Sequence, residues 1–227
     1  MKKLPLLFII GITGALPSVS QAVFFDSVIY DMPSEKKFIS RRVYNDSKDE
    51  KIYIISAAKV DRPGENEKSF PVSPSELIYG PLRFTLEPGK SEYFKIFYTG
   101  PQDDQERYYR LSYREVSMTS FLKQKDNKEI VMIPDVKMST LLVVRPRKMN
   151  FRFSIDEKSN TLINNGNTYF RVVTMDGCFS REIKDSQFYV LPHQVVTRRE
   201  LNESNKKFIV AFGRYIHLGE GCFSNQH

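Results

Sequence analysis

From residue 23 onward, short runs of β-branched and aromatic residues alternate with breaks of proline, glycine and asparagine, and no helical period lasts three turns. Many short strands at such spacing fit a β-sandwich. The runs predict strands over residues 23–30, 37–44, 51–60, 82–86, 91–98, 107–116 and 130–144. After a break they resume over 151–155, 161–163, 168–175, 187–191, 194–197 and 208–217. Asn45-Asp46-Ser47, Pro88-Gly89 and Asn164-Asn165-Gly166-Asn167 are turn clusters, and the polar stretch 121–129 is a loop. The aromatic load of 12 Tyr and 17 Phe without Trp leans the same way. Arg145-Pro146-Arg147-Lys148 divides the strands into two series, because proline cannot donate to a ladder. The expected organisation is therefore a leader at 1–22, one sandwich at 23–145 and a second at 146–227.

The leader reading rests on Met1-Lys2-Lys3, a basic head, and on the apolar run of 13 residues from Leu4 to Leu16. Ser20-Gln21-Ala22 supplies the small-x-small pattern that a signal peptidase cleaves. The apolar run is too short to span a bilayer, for which roughly 20 residues are needed. The formal charge of +7, less Lys2 and Lys3, leaves +5 on the mature chain. That excess invites an anionic partner, but export argues against nucleic acid, and no later stretch is apolar enough to serve as a membrane anchor. Cys178 and Cys222 are the only cysteines. In an oxidising compartment an even pair is expected to form one structural bridge, a reactive thiol being the alternative.

Catalytic signatures are missing. His193, His217 and His227 stand at no metal-ligand spacing, and there is no Gly-x-Ser-x-Gly, phosphate-binding loop or His-Glu-x-x-His. Asp49-Glu50 and Asp103-Asp104 lie in polar, turn-like segments and read as solvated charges. No enzyme activity and no cofactor are expected.

The informative segment is 130–144. Successive strand residues point to opposite faces, so one face carries Ile130, Met132, Val136, Met138, Thr140, Leu142 and Val144. The other carries Val131, Ile133, Asp135, Lys137, Ser139, Leu141 and Val143. From 141 both faces are apolar, as in a strand entering a core, whereas Pro134 favours an edge position. An edge strand with an apolar face is a liability unless it is covered or lent to a partner that lacks a strand. Burying four such side chains contributes about 5–10 kcal/mol before ordering costs.

Four segments resemble the periplasmic pilus-assembly chaperones of the chaperone–usher pathway, in their alternate (class 5, or common-pilus) branch. They are Gly100-Pro101 with its acidic loop, Glu106-Arg107-Tyr108-Tyr109-Arg110-Leu111, Thr140-Leu141-Leu142-Val143-Val144-Arg145-Pro146-Arg147, and Leu162-Ile163-Asn164-Asn165-Gly166-Asn167. Their order covers essentially the whole mature chain. The resemblance implies an all-β protein of two immunoglobulin-like β-sandwich domains in a boomerang. It implies a last strand of the first domain that completes a pilin's unfinished sandwich, and cleft cations that hold the pilin's C-terminal carboxylate. Folding energy is kept, without nucleotide, until an outer-membrane usher exchanges strands. Carried onto this chain, the donor strand is 130–144, with Ile130, Met132, Val136 and Met138 as its groove-filling face. Lys137 and Arg110 become the carboxylate anchors. The better-known branch has an arginine on its first strand and a lysine five residues before the proline. Here residues 23–30 hold no arginine and Leu141 takes the lysine's place, so Arg42 and Arg145 are substitute candidates. The implied partners are pilin subunits and the usher, and self-association that masks the donor edge stays open. The alternative is a structural or adhesive fimbrial subunit, against which the mid-chain position of the apolar run argues.

Overall fold

The computed structural model describes residues 27–117, 136–179 and 186–223. The expected leader at 1–22, and Ile130 and Met132 of the expected donor face, lie outside the described residues. In the first half the strands are β1 (Ile29–Met32), β2 (Phe38–Tyr44), β3 (Lys51–Val60), β4 (Ser69–Pro71) and β5 (Leu77–Gly80), then β6 (Arg83–Leu86), β7 (Ser91–Tyr98), β8 (Arg107–Ser117) and β9 (Val136–Val144). The second half holds β10 (Phe153–Asp156), β11 (Thr161–Asn164), β12 (Phe170–Met175) and β13 (Gln187–Val190), then β14 (Val195–Thr197), β15 (Lys206–Ala211) and β16 (Arg214–His217).

Two sheets make the first sandwich. One runs β1-β9-β8-β3-β4, with β6 also paired to β3, and the other runs β2-β7-β5. The pattern that builds it is plainest in β7, where Phe94, Ile96 and Tyr98 are buried while Tyr93, Lys95 and Phe97 face water. This alternation is what a strand covered on one face requires. The buried set meets Tyr30, Met32, Tyr53, Leu111, Tyr113 and Leu142 from the facing sheet in one core. Asn45, expected in a turn, is buried there and staples it: Nδ2 donates to Asp49 O and Leu86 O, both at 2.9 Å.

The second sandwich sets β10-β11-β14 against β13-β12-β15-β16. Leu162, Phe170, Val172, Val190, Leu201, Ile209 and Leu218 fill it. Asn164 repeats the role of Asn45, donating to Thr168 O and Val190 O while accepting from Gly166 N–H. At Gly166 a Cβ would stand 2.1 Å from Asn150 O, so this turn admits only glycine. The bridge expected between Cys178 and Cys222 is present, with Cα atoms 5.1 Å apart, tying the segment after β12 to the one after β16. Lys207, 1% exposed, survives burial by donating to Glu157 at 2.6 Å and to Asn202 O and Asn205 O.

Some strands differ from expectation. The run 208–217 is a hairpin, because Phe212 and Gly213 take positive φ (52° and 70°) and reverse the chain. β4 and β5 sit among prolines and glycines that read as punctuation; β3 and β7 impose strand geometry on them by pairing.

Candidate functional site

β9 has unequal neighbours. Along one side β8 pairs with it antiparallel over its whole length, from Glu115↔Val136 to Arg107↔Val144. Along the other, β1 pairs in parallel with Leu141–Val144 alone, and Leu141 N–H donates to Val28 O at 2.8 Å. Among the described residues nothing pairs with residues 136–140 on that side. The Leu141 bond also sets the phase. Backbone groups of alternate residues point to the same neighbour, so Lys137 and Ser139, like Leu141, aim N–H and C=O at the open side. Two donors and two acceptors are therefore left for another strand.

The two faces of β9 look into different places. Leu142 and Val144 enter the first core and Met138 packs against its rim, whereas Val136 is 39% exposed. Of the expected groove-filling face, then, Val136 is exposed and Met138 is shared with the protein's own interior. The opposite face begins with the exposed Lys137 and Ser139. It continues with Leu141 and Val143, which bury against Val60 and Tyr108 and are joined by Tyr169 and Leu191 of the second sandwich. An apolar cavity of about 410 Å³ opens there, lined by Val28, Ile29, Tyr108, Leu141, Tyr169 and Leu191 among others.

The register of β8 on β9 places Arg110 opposite Leu141, Ser112 opposite Ser139 and Arg114 opposite Lys137. Directly opposed residues share a face. Lys137 and Arg110, the two expected anchors, accordingly line one polar recess of about 730 Å³. Lys137 makes no ion pair with any described residue. Arg110 is half-buried and grips Glu67 with two parallel bonds, Nε to Oε1 at 3.0 Å and a terminal nitrogen to Oε2.

Arg42 and Arg145 are committed elsewhere. Arg42 lies exposed on the outer face of the β2-β7-β5 sheet, where Nε donates to Ser91 Oγ at 2.8 Å. Arg145 ties the sandwiches together. It pairs with Asp31 at 3.2 Å and with Glu106 at 3.0 Å, and its guanidinium lies 4.0 Å from the centre of the Tyr169 ring. Glu106 in turn accepts from the Thr168 hydroxyl at 2.8 Å, the Tyr169 N–H at 3.1 Å and the Tyr108 hydroxyl at 2.5 Å. Burial pushes the Glu106 carboxyl above the usual carboxylate range, and Arg145 with these donors pulls it only part of the way back. Sequence reasoning gave Glu106 no role. Its one signal is a carboxylate set directly before the Arg-Tyr-Tyr run that opens a strand. Among the described residues no His, Cys, Asp and Glu cluster could hold a metal, and no helix is long and apolar enough to cross a membrane.

No protein-family model matches the sequence. A probable fimbrial chaperone, EcpE of Escherichia coli O157:H7, is 38% identical over 206 residues, covering 90% of this chain and 87% of its own. Solved structures share the fold, two of them as follows. The class 5 fimbriae chaperone CfaA has a TM-score of 0.54 at 18% identity over 87% of this chain and 93% of its own. The SafB chaperone of Salmonella enterica, solved with the SafA pilin, has a TM-score of 0.55 at 17% identity, covering 88% and 96%. With two β-sandwiches, a half-paired strand at the edge of the first and this identity along nine-tenths of its length, the chain belongs to the fimbrial chaperones.

Proposed function

We propose that this chaperone captures pilin subunits by donor-strand complementation, with β9 as the lent strand, and passes them to an outer-membrane usher. The observation that carries the reading is the open side of β9 at residues 136–140, beside two cations. A client strand pairing there would extend the β1-β9-β8-β3-β4 sheet. The rim residues Val136 and Met138 would then cover the client's interior as well as the chaperone's own. Lys137 and Arg110 would receive the client's terminal carboxylate, and each charge-assisted bond contributes roughly 1.5–3 kcal/mol while fixing register. Residues 1–22 direct the chain to the periplasm and are removed there. The domains divide at 145/146, with the Glu106–Arg145 network setting the cleft between them. No reaction is catalysed. Ile130 and Met132, the other two residues expected to fill the client's groove, lie outside the described residues and belong to the same proposal.

The test is co-expression of the tagged mature chain with its cognate pilin and recovery of the complex from periplasm. Val136→Glu and Met138→Glu place a charge against the client core and are expected to abolish recovery. A folded variant that still brings down pilin at normal yield would overturn the reading.

A further inference from the structure

The hairpin loop between β3 and β4 reaches over the same face of β8 and β9 that carries the anchors. Its neck is tied by Asp61, which accepts from Arg62 N–H at 2.7 Å and Lys68 N–H at 2.8 Å, while Asp61 N–H donates to Lys68 O. Glu67 stands just inside that neck and presents its carboxylate to Arg110 edge-on, as a bound carboxylate would stand. The charged lining of the recess is Glu65, Glu67, Arg110 and Lys137, which sum to zero. An arriving carboxylate would leave the recess with a net negative charge unless a resident one withdrew. It would also find the guanidinium fork already occupied. Gly64, Arg110 and Ser139 border both the polar recess and the apolar cavity, so the Glu67–Arg110 pair sits where the two meet.

We propose that Glu67 is a resident stand-in for the client's terminal carboxylate, occupying Arg110 in the empty chaperone and exchanging places with the client's chain end. The ligand class is a peptide terminus with a free carboxylate and an apolar last side chain, the carboxylate on Arg110 and the side chain in the neighbouring apolar cavity. This rests on the anchor role of Arg110 proposed above. The exchange gives the site selectivity: a ligand that merely fills the cavity cannot displace Glu67, and a small anion gains nothing from the cavity. A stand-in that holds Arg110 in nine molecules of ten lowers the apparent affinity about tenfold.

The probe is N-acetyl-phenylalanine, with its C-terminal amide as control, titrated into the full mature chain and followed through arginine Nε–H resonances and by calorimetry. Glu67→Gln and Glu67→Ala are expected to bind the acid about tenfold more tightly than the parent chain and to leave amide binding unchanged. Arg110→Gln is expected to lose the preference for acid over amide. Thermal unfolding of each variant checks that it is folded. Unchanged or weaker acid binding in both folded Glu67 variants, with Arg110→Gln still defective, would overturn the stand-in and leave the anchor standing. If Arg110→Gln binds the acid as the parent does, the anchor itself fails and the stand-in fails with it.

Discussion

Ser139→Pro separates lending the strand from building it. On β9 the residues 138, 140 and 142 aim their backbone groups at β8, whereas Ser139 aims its own at the open side. Replacing Ser139 by proline therefore removes an N–H that no described residue of the free chaperone accepts, in a residue whose side chain is exposed. Met138, which then precedes a proline, is already extended and tolerates the restriction. In the proposed complex the same change would delete one ladder bond and leave a client carbonyl facing a proline ring. A lost hydrogen bond with its buried acceptor unsatisfied costs about 2–3 kcal/mol, or roughly 30- to 150-fold in affinity. Ser139→Ala keeps the N–H and is the control. The assay is pilin capture by the purified variant, with a melting curve beside it, and Thr140→Pro as the reverse case, since it strikes the β8 ladder and the interior. Capture by Ser139→Pro within threefold of the parent would refute the idea that this edge is what the client pairs with. A collapse of its melting temperature to that of Thr140→Pro would show the phase of the strand to be misassigned.

Lys137→Ala is expected to weaken capture more than Lys158→Ala, since Lys137 lines the polar recess of the first sandwich and Lys158 is an exposed turn residue; equal losses would remove Lys137 as an anchor. Replacing Cys178 and Cys222 together by serine opens a 44-residue loop and is expected to cost about 3–4 kcal/mol in denaturant titration, with the first sandwich's near-ultraviolet signal unchanged. Acid titration should show the pair Asp103–Arg107: Arg107 holds the Asp103 carboxyl at about 2, below its unfolded value of 3.8. The stability it contributes is complete above 3.8 and disappears as pH falls towards 2, so Asp103→Asn should flatten the stability curve in that window and nowhere else.

What the sequence disclosed and what it withheld divide along sequence separation. The alternation of β7 and the asparagine turns at 45 and 164 are local signals, and they fold as local rules say. Parity along residues 136–144 separated the two faces of β9 correctly. It could not say which face belongs to the protein's own core, because that depends on a facing sheet whose nearest strand, β7, ends 38 residues before β9 begins. The parallel pairing of Ile29–Met32 with Leu141–Val144 joins segments more than 100 residues apart and has no local signature. Glu106 was illegible as a tie for the same reason: its partners Arg145 and Thr168 are 39 and 62 residues away, and without them it is one more acidic residue after Asp103 and Asp104.

The same long-range pairing explains how an apolar edge strand is tolerated in this fold. β1 covers β9 where both of its faces are apolar, from Leu141 onward, and stops where the side chains turn to Lys137 and Ser139. Among the described residues the uncovered stretch is 136–140; it carries a lysine and keeps Met138 partly engaged with the core below it. An edge bearing a charge is a poorer template for a second copy of the same chain. For a client with an unfilled groove and a free carboxylate, the same features are attractive, because they offer ladder bonds, an apolar rim and a cation within a few residues. The length of β1 therefore sets the balance: one more pair of residues on its N-terminal side would cover Ser139 and take one of the two open positions, Lys137 and Ser139, that the described residues offer a client.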